Sequence, residues 1–198
     1  SSTLLGRGLG VHPEHAGRVV REQGADLGIS FDGDADRVIF TDETGVSVSG
    51  DRILTLCALA LMEEGKLRGA TMACTVMSNL GLHEALRTAG IAVLTTAVGD
   101  RHVIEALRAG GYSFGGENSG HLIFADHATT GDGILSALQV LRIMKRRGQP
   151  LSVLAQVMRE YPQSLVNLQV RAKPPLETLP RLQASLREAD DAFGDRGR

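Results

Sequence analysis

Apolar positions along the chain change period repeatedly, and the changes lay out its elements. Residues 13–23 carry helical spacing, with Pro13 suited to a first helical turn and Gly24 just past the end. Residues 25–31 form an apolar run, an acidic loop follows, and residues 37–41 form a second run. Asp42-Glu43-Thr44-Gly45 has hairpin chemistry and turns into residues 46–48. Asp51 then caps a helix bearing Ile53, Leu54, Leu56, Cys57, Leu59 and Leu61, which stops at Gly65. From there strands and helices alternate. Residues 70–77 are a strand, Asn79 opens a helix through 89, residues 91–96 are a strand, and Asp100 opens a helix through 109. Short strands follow at 112–115 and 121–124. Thr130 or Asp132 caps a long helix to about residue 147, and residues 151–161 are a further helix. Residues 1–12 carry little pattern. Beyond Pro162, residues 165–171 alternate as a strand, Pro174-Pro175 is a hinge, and residues 179–192 read as a helix.

This alternation implies an α/β fold with mixed, mainly parallel sheets covered by helices. Three segments emerge: residues 1–48, which end in the hairpin; 49–162, the strand–helix series; and 163–198, whose one strand and one helix are too few to bury a core alone. Composition narrows the function classes. A formal net charge of −2 and a pI near 6.3 give no basic excess for nucleic acid or a membrane surface. No apolar run reaches the roughly 18 residues of a membrane-spanning helix, and the N-terminus lacks the pattern of a secretory signal. Cys57 and Cys74 lie in apolar segments without metal-like spacing, as in the reduced core of a cytoplasmic protein.

The chemistry concentrates in two loops. In Asp32-Gly33-Asp34-Ala35-Asp36-Arg37, carboxylates at alternate positions can turn toward one point, with Gly33 and Ala35 leaving the turn sterically free. Oxygens that close repel unless a cation sits among them, and hard oxygen ligands favour Mg²⁺, Mn²⁺ or Ca²⁺ over zinc. Asp32, Asp34, Asp36 and Glu43 also fall at EF-hand positions one, three, five and twelve. Position six, however, is Arg37 rather than Gly, and the flanks are strands. Arg37 suits phosphate oxygens; its plainer role is to pair with the aspartates. The second loop, Gly115-Gly116-Glu117-Asn118-Ser119-Gly120-His121, offers a carboxylate, an amide, a hydroxyl and an imidazole to a polyhydroxylated ligand, although polar glycine-rich hairpins are commonly only turns. Val98-Gly99-Asp100-Arg101-His102 reads as a capped helix start with Arg101 and His102 as anion contacts, and Thr129-Thr130-Gly131-Asp132-Gly133 reads mainly as a cap.

Together and in this order, these loops resemble the α-D-phosphohexomutase superfamily and, within it, the phosphoglucosamine mutases. The resemblance covers roughly residues 11 to 198; residues 1–10 depart from the pattern. It implies that residues 1–48 are the end of a second domain with its metal-binding loop, residues 49–162 a third, sugar-binding domain, and residues 163–198 the start of a fourth. It implies Mg²⁺ held by Asp32, Asp34 and Asp36, and a phosphorylated hexosamine as substrate, with a second copy of the chain as an optional partner. It makes Arg37 and His121 catalytic, His121 by orienting Glu117 or carrying a proton. Glu117 and Ser119 would grip sugar hydroxyls, and Asp100 and Arg101 would help set substrate choice. The implied reaction interconverts glucosamine 6-phosphate and glucosamine 1-phosphate through a phosphoserine and a bisphosphate. The family's Ser-His-Asn-Pro segment and its Arg-rich phosphate loop are not found among these residues, so this chain alone is expected to be inactive. The alternatives are a non-catalytic divalent-metal module, or a phosphomannomutase or phosphoglucomutase.

Overall fold

The computed structural model describes residues 3–7, 13–164, 169, 172 and 174–194, with side chains from residue 15 onward. Residues 1–159 form one compact unit and residues 160–198 a second.

The larger unit holds two sheets. In the first, β1 (Thr3–Arg7) pairs in parallel with β2 (Leu27–Phe31), which is antiparallel to β3 (Val38–Thr41), itself antiparallel to β4 (Ser47–Val48). Helix α1 (Pro13–Gln23) connects β1 to β2 and packs on β2 and β3. Strand β1 lies where the sequence shows little pattern. It has a partner to pair with in register, Thr3 opposite Leu27 through Arg7 opposite Phe31, and that pairing is a long-range fact which local periodicity does not carry. The β3–β4 turn is closed by Asp42, whose Oδ1 accepts from Thr44 N, Thr44 Oγ1 and Val46 N at 3.0, 2.7 and 2.9 Å.

The second sheet has the order β6-β5-β7-β8, made of β5 (Thr71–Thr75), β6 (Ala92–Thr96), β7 (Phe114–Gly116) and β8 (Leu122–Phe124). Its first two pairings are parallel and the last is antiparallel. The chain leaves β5 through α3 (Leu80–Thr88) to reach β6, then returns past β5 through α4 (Asp100–Gly110) to reach β7. The connections therefore diverge between β5 and β7, the position at which open α/β sheets form a crevice beyond their strand ends.

Alternate residues feed two layers. Met72 and Cys74 of β5, Phe114, Leu122 and Phe124 join one core with α2 (Gly50–Glu63), α3 and α5 (Gly133–Arg147). Ala73 and Ile123 face the other way, onto Val103 and Leu107 of α4. The larger core also contains Leu27, Ile29, Val38 and Phe40 of the first sheet, and α5 touches both β3 and β8, so one hydrophobic interior joins the sheets. Cys57 and Cys74 are buried and form no disulfide, and burial pushes the Cys57 thiol up to about 12.

Three expected boundaries move. Ser49, not Asp51, is the N-cap of α2; Asp51 lies inside the helix, buried, where its Oδ2 accepts from Asn79 N at 3.0 Å and ties α2 to the start of α3. Gly99 rather than Asp100 is the N-cap of α4, with a φ of +123° that is open chiefly to glycine. The helix expected over 151–161 is α6 (Leu151–Leu154) followed by a single 3₁₀ turn to Val157. Arg52 takes the Ala155 carbonyl at 2.7 Å, and Met158 turns into the core with its sulfur 3.3 Å from Thr55 Oγ1. Tertiary contacts thus outweigh helical continuation.

In the smaller unit, a 3₁₀ turn at Leu176–Thr178 precedes α7 (Pro180–Phe193), with Pro180 at the helix start. Most of the strand expected at 165–171 lies outside the described residues. Among the described residues no helix is long and apolar enough to cross a membrane.

Candidate functional site

The acidic loop leaves the end of β2 and returns along β3. Its sharp bend is at Ala35, whose φ of +59° is left-handed, and not at Gly33. Ala35 N donates to the Asp32 carbonyl at 3.3 Å, and Gly133 N, at the start of α5, donates to the Ala35 carbonyl at 2.9 Å. The bend gathers one carboxylate oxygen from each of Asp32, Asp34 and Asp36 within 4.8 Å of one another. Asp34 is exposed; Asp32 and Asp36 are partly covered. Burial pushes the Asp36 carboxyl up, a hydrogen bond to Asp32 and the charges of Asp32 and Asp34 push it further, and His121 alone pulls it down. Arg37 donates from its backbone to Asp32 Oδ1 at 3.2 Å, and its guanidinium Nε lies 4.0 Å from Asp32 Oδ2. That side chain is half exposed, so it screens one edge of the trio without closing it. Glu43 turns away to Ser152, whose N–H it accepts at 3.3 Å; with strands on both sides, the EF-hand pattern has no structural counterpart here.

The second loop begins at the end of β7, beside the crevice between β5 and β7. Three segments converge on it. Glu117 is buried, and its Oε1 accepts from Gly99 N at 2.9 Å, which ties it to the start of α4. Asn118 donates to the Met77 carbonyl beyond β5 at 3.1 Å. Glu117 N donates to the His121 carbonyl at 2.8 Å and closes the hairpin, with Ser119 exposed at its tip. Gly120 has φ +95°, and a Cβ there would lie 2.4 Å from the Val38 carbonyl. Only glycine allows Val38 N to reach the Gly120 carbonyl, at 3.0 Å.

That last bond joins the two sheets, and His121 makes a second join. The imidazole is 2% exposed and its Nδ1 lies 3.2 Å from Asp36 Oδ2. The ring therefore meets the acidic loop, while the Glu117 carboxylate takes its partner from Gly99. Asp100 and Arg101 are exposed at the start of α4. Asp100 Oδ1 accepts from Arg101 N at 2.7 Å, and Arg101 Nε donates to Glu105 at 2.8 Å. Gly99 lies next to them, so the α4 start borders the Glu117 loop. Sequence patterns gave no role to Gly99 or Met77 in holding the Glu117 loop, because each acts through backbone atoms. The only signal was glycine at a strand-to-helix turn.

Comparison with known proteins accords with this geometry. The model of the phosphoglucomutase/phosphomannomutase α/β/α domain III matches residues 49–161. A phosphoglucosamine mutase of Geobacter metallireducens is 52% identical over 199 residues, covering 100% of this chain and 44% of that protein. The first ten residues thus fall inside the match, against the expectation that they depart from the pattern. A phosphoglucomutase/phosphomannomutase family protein of Burkholderia thailandensis superposes with a TM-score of 0.67 at 28% identity, over 78% of this chain and 33% of that one. The Aspergillus fumigatus N-acetylphosphoglucosamine mutase, in complex with GlcNAc-6P and magnesium, shares the fold, with a TM-score of 0.69 at 22% identity over 90% of this chain and 48% of that one. The chain spans less than half the length of these relatives. An acidic trio at one sheet's end, a glycine–glutamate loop at the other's crevice and a matching domain over most of the larger unit make this chain a member of the phosphoglucomutase/phosphomannomutase family of α-D-phosphohexomutases.

Proposed function

We propose that these residues supply the metal-binding and sugar-binding parts of a phosphosugar mutase that interconverts glucosamine 6-phosphate and glucosamine 1-phosphate. The observation that carries the reading is the join of the acidic trio to the Glu117 loop through His121 and Gly120. The 52% identity to a phosphoglucosamine mutase over the whole chain favours the glucosamine sugar. In this reading residues 1–48 end a second domain, residues 49–162 are a third, and residues 163–198 begin a fourth.

The donor set fits a hard divalent cation. The three carboxylate oxygens lie within 4.8 Å of one another; burial and then the charges of Asp32 and Asp34 raise the proton affinity of Asp36, and a cation removes that repulsion. Asp32, Asp34 and Asp36 would hold Mg²⁺, which when bound supplies neutralisation of the charge on a transferring phosphoryl group. Arg37, half exposed beside Asp32, offers a guanidinium fork to the phosphoryl oxygens. Glu117 is fixed by Gly99 through one oxygen and presents its carboxylate to sugar hydroxyls, and Ser119 offers a hydroxyl from the loop tip. Hydroxyl contacts of this kind serve both orientations of a bisphosphate that must turn over between two phosphoryl transfers. The first transfer takes phosphate from a phosphoserine to the sugar, and the second returns the other phosphate to the serine. Asp100 and Arg101, at the border of the loop, would tune which sugar is accepted. Two buried cysteines outside any disulfide suit a reducing, cytoplasmic setting.

No Ser-His-Asn-Pro segment occurs in these 198 residues. The purified chain should therefore bind glucosamine 6-phosphate without converting it. Amide NMR shifts should cluster at residues 115–121 on titration, while ³¹P spectra show no glucosamine 1-phosphate. A silent loop, or turnover by the chain alone, would contradict the reading.

A further inference from the structure

Building on the metal reading above, we infer that His121 is a positioning residue for the cation site: its imidazole, wedged between Gly131 and the acidic loop, holds the Asp36 carboxylate in the orientation that receives the metal. Three observations lead there. The ring is 2% exposed, and its Nδ1 lies 3.2 Å from Asp36 Oδ2. Among the described residues its Nε2 has no hydrogen-bond partner. A Cβ on Gly131 would lie 2.3 Å from the ring's Cε1 and Nε2, so the ring's far edge rests on the Gly131 backbone.

The tautomer follows. An ionised carboxylate only accepts, so Asp36 needs a donor from the ring nitrogen that faces it. Nδ1–H therefore donates to the Asp36 carboxylate, and Nε2 is the edge that rests against Gly131. The same turn makes a second contact with the acidic loop, since Gly133 N donates to the Ala35 carbonyl at 2.9 Å, at the loop's left-handed bend. The Thr129–Gly133 turn thus does more than cap α5 through Asp132, whose Oδ1 accepts from Leu135 N at 2.9 Å. It backs the imidazole and anchors the bend at Ala35, next to Asp36. A fixed carboxylate binds a cation without the cost of ordering it, and partners of this outer kind typically change metal affinity about 10- to 100-fold.

The test uses the 198-residue chain and Mn²⁺ titrated by electron paramagnetic resonance, with Mg²⁺ competition. His121→Asn keeps an N–H near the Nδ1 position, and His121→Gln moves it to the Nε2 position. Asn should stay within about threefold of the parent affinity, and Gln should lose about tenfold or more. The two amides differ by one methylene, so general loosening of the fold would weaken both. Gly131→Ala, which displaces the ring, should behave as Gln. Asp34→Ala separates the two levels of the argument. If Asp34→Ala loses Mn²⁺ and His121→Gln does not, or if Asn and Gln weaken alike, the positioning role is overturned alone. If Asp34→Ala binds as the parent does, the metal reading fails and takes this role with it.

Discussion

Gly120 carries more than its size suggests. Its φ of +95° and its approach to the Val38 carbonyl leave no room for a side chain, yet the Val38–Gly120 hydrogen bond is one of two bonds that join the loops. Gly120→Ala should therefore cost about 2–3 kcal/mol in chemical denaturation. It should also weaken sugar-phosphate shifts at residues 115–121. A change below about 0.5 kcal/mol would mean that the backbone relaxes and the join is loose. At this scale the sequence was readable in residue type and much less in pairing. The acidic trio and the Glu117 loop stand out because few turns need so many carboxylates or so mixed a set of polar groups. That His121 would meet Asp36, 85 positions away, is a product of sheet packing and leaves no local trace. The bend fell at Ala35 because steric freedom at Gly33 makes a left-handed residue possible there without requiring one.

The elements show the same division. Helix and strand identities follow from periodicity, and Gly24, Gly65, Gly90 and Gly111 all take positive φ where helices end. The boundaries that moved involve an element end used by a neighbour: Asp51 given to Asn79, Gly99 given to Glu117, and the α6 end given to Arg52 and Met158. One such neighbour contact has a pH signature. Glu64, the C-cap of α2, faces Arg142 and Arg146 of α5 at 2.7 and 2.5 Å and Lys66 at 2.9 Å. Burial pushes its carboxyl up, but the hydrogen bonds and charges of Arg142 and Lys66 prevail and hold it at about 2. Because the folded value lies below the unfolded one of 4.5, this contribution is complete above 4.5 and fades as pH falls toward 2. Solvent around the exposed arginines and Lys66 reduces it to about 1–2 kcal/mol. Glu64→Gln should destabilise the chain by that amount near neutral pH, with the gap to the parent closing in urea melts taken at progressively lower pH. A gap that stays constant with pH would show that packing, not charge, holds α2 to α5.

For the larger unit as a whole, the fold brings two loop chemistries together that neither sheet could assemble alone. One hydrophobic core spans both sheets, α5 touches each, and the loops meet at the rim through Gly120 and His121. The central claim is electrostatic. Unit charges about 4 Å apart repel by about 1 kcal/mol even at the dielectric of water, so the trio strains the fold when empty of cation and strengthens it when filled. Thermal unfolding of the chain and of Asp34→Asn, each in chelator and in excess MgCl₂, tests this most directly. In chelator the variant should melt about 1–3 °C above the parent, because one repelling charge is gone. In magnesium the parent should rise and the variant should not, which reverses their order. If magnesium shifts both equally, or neither, and the chelated parent is the more stable, the trio is an ordinary acidic turn.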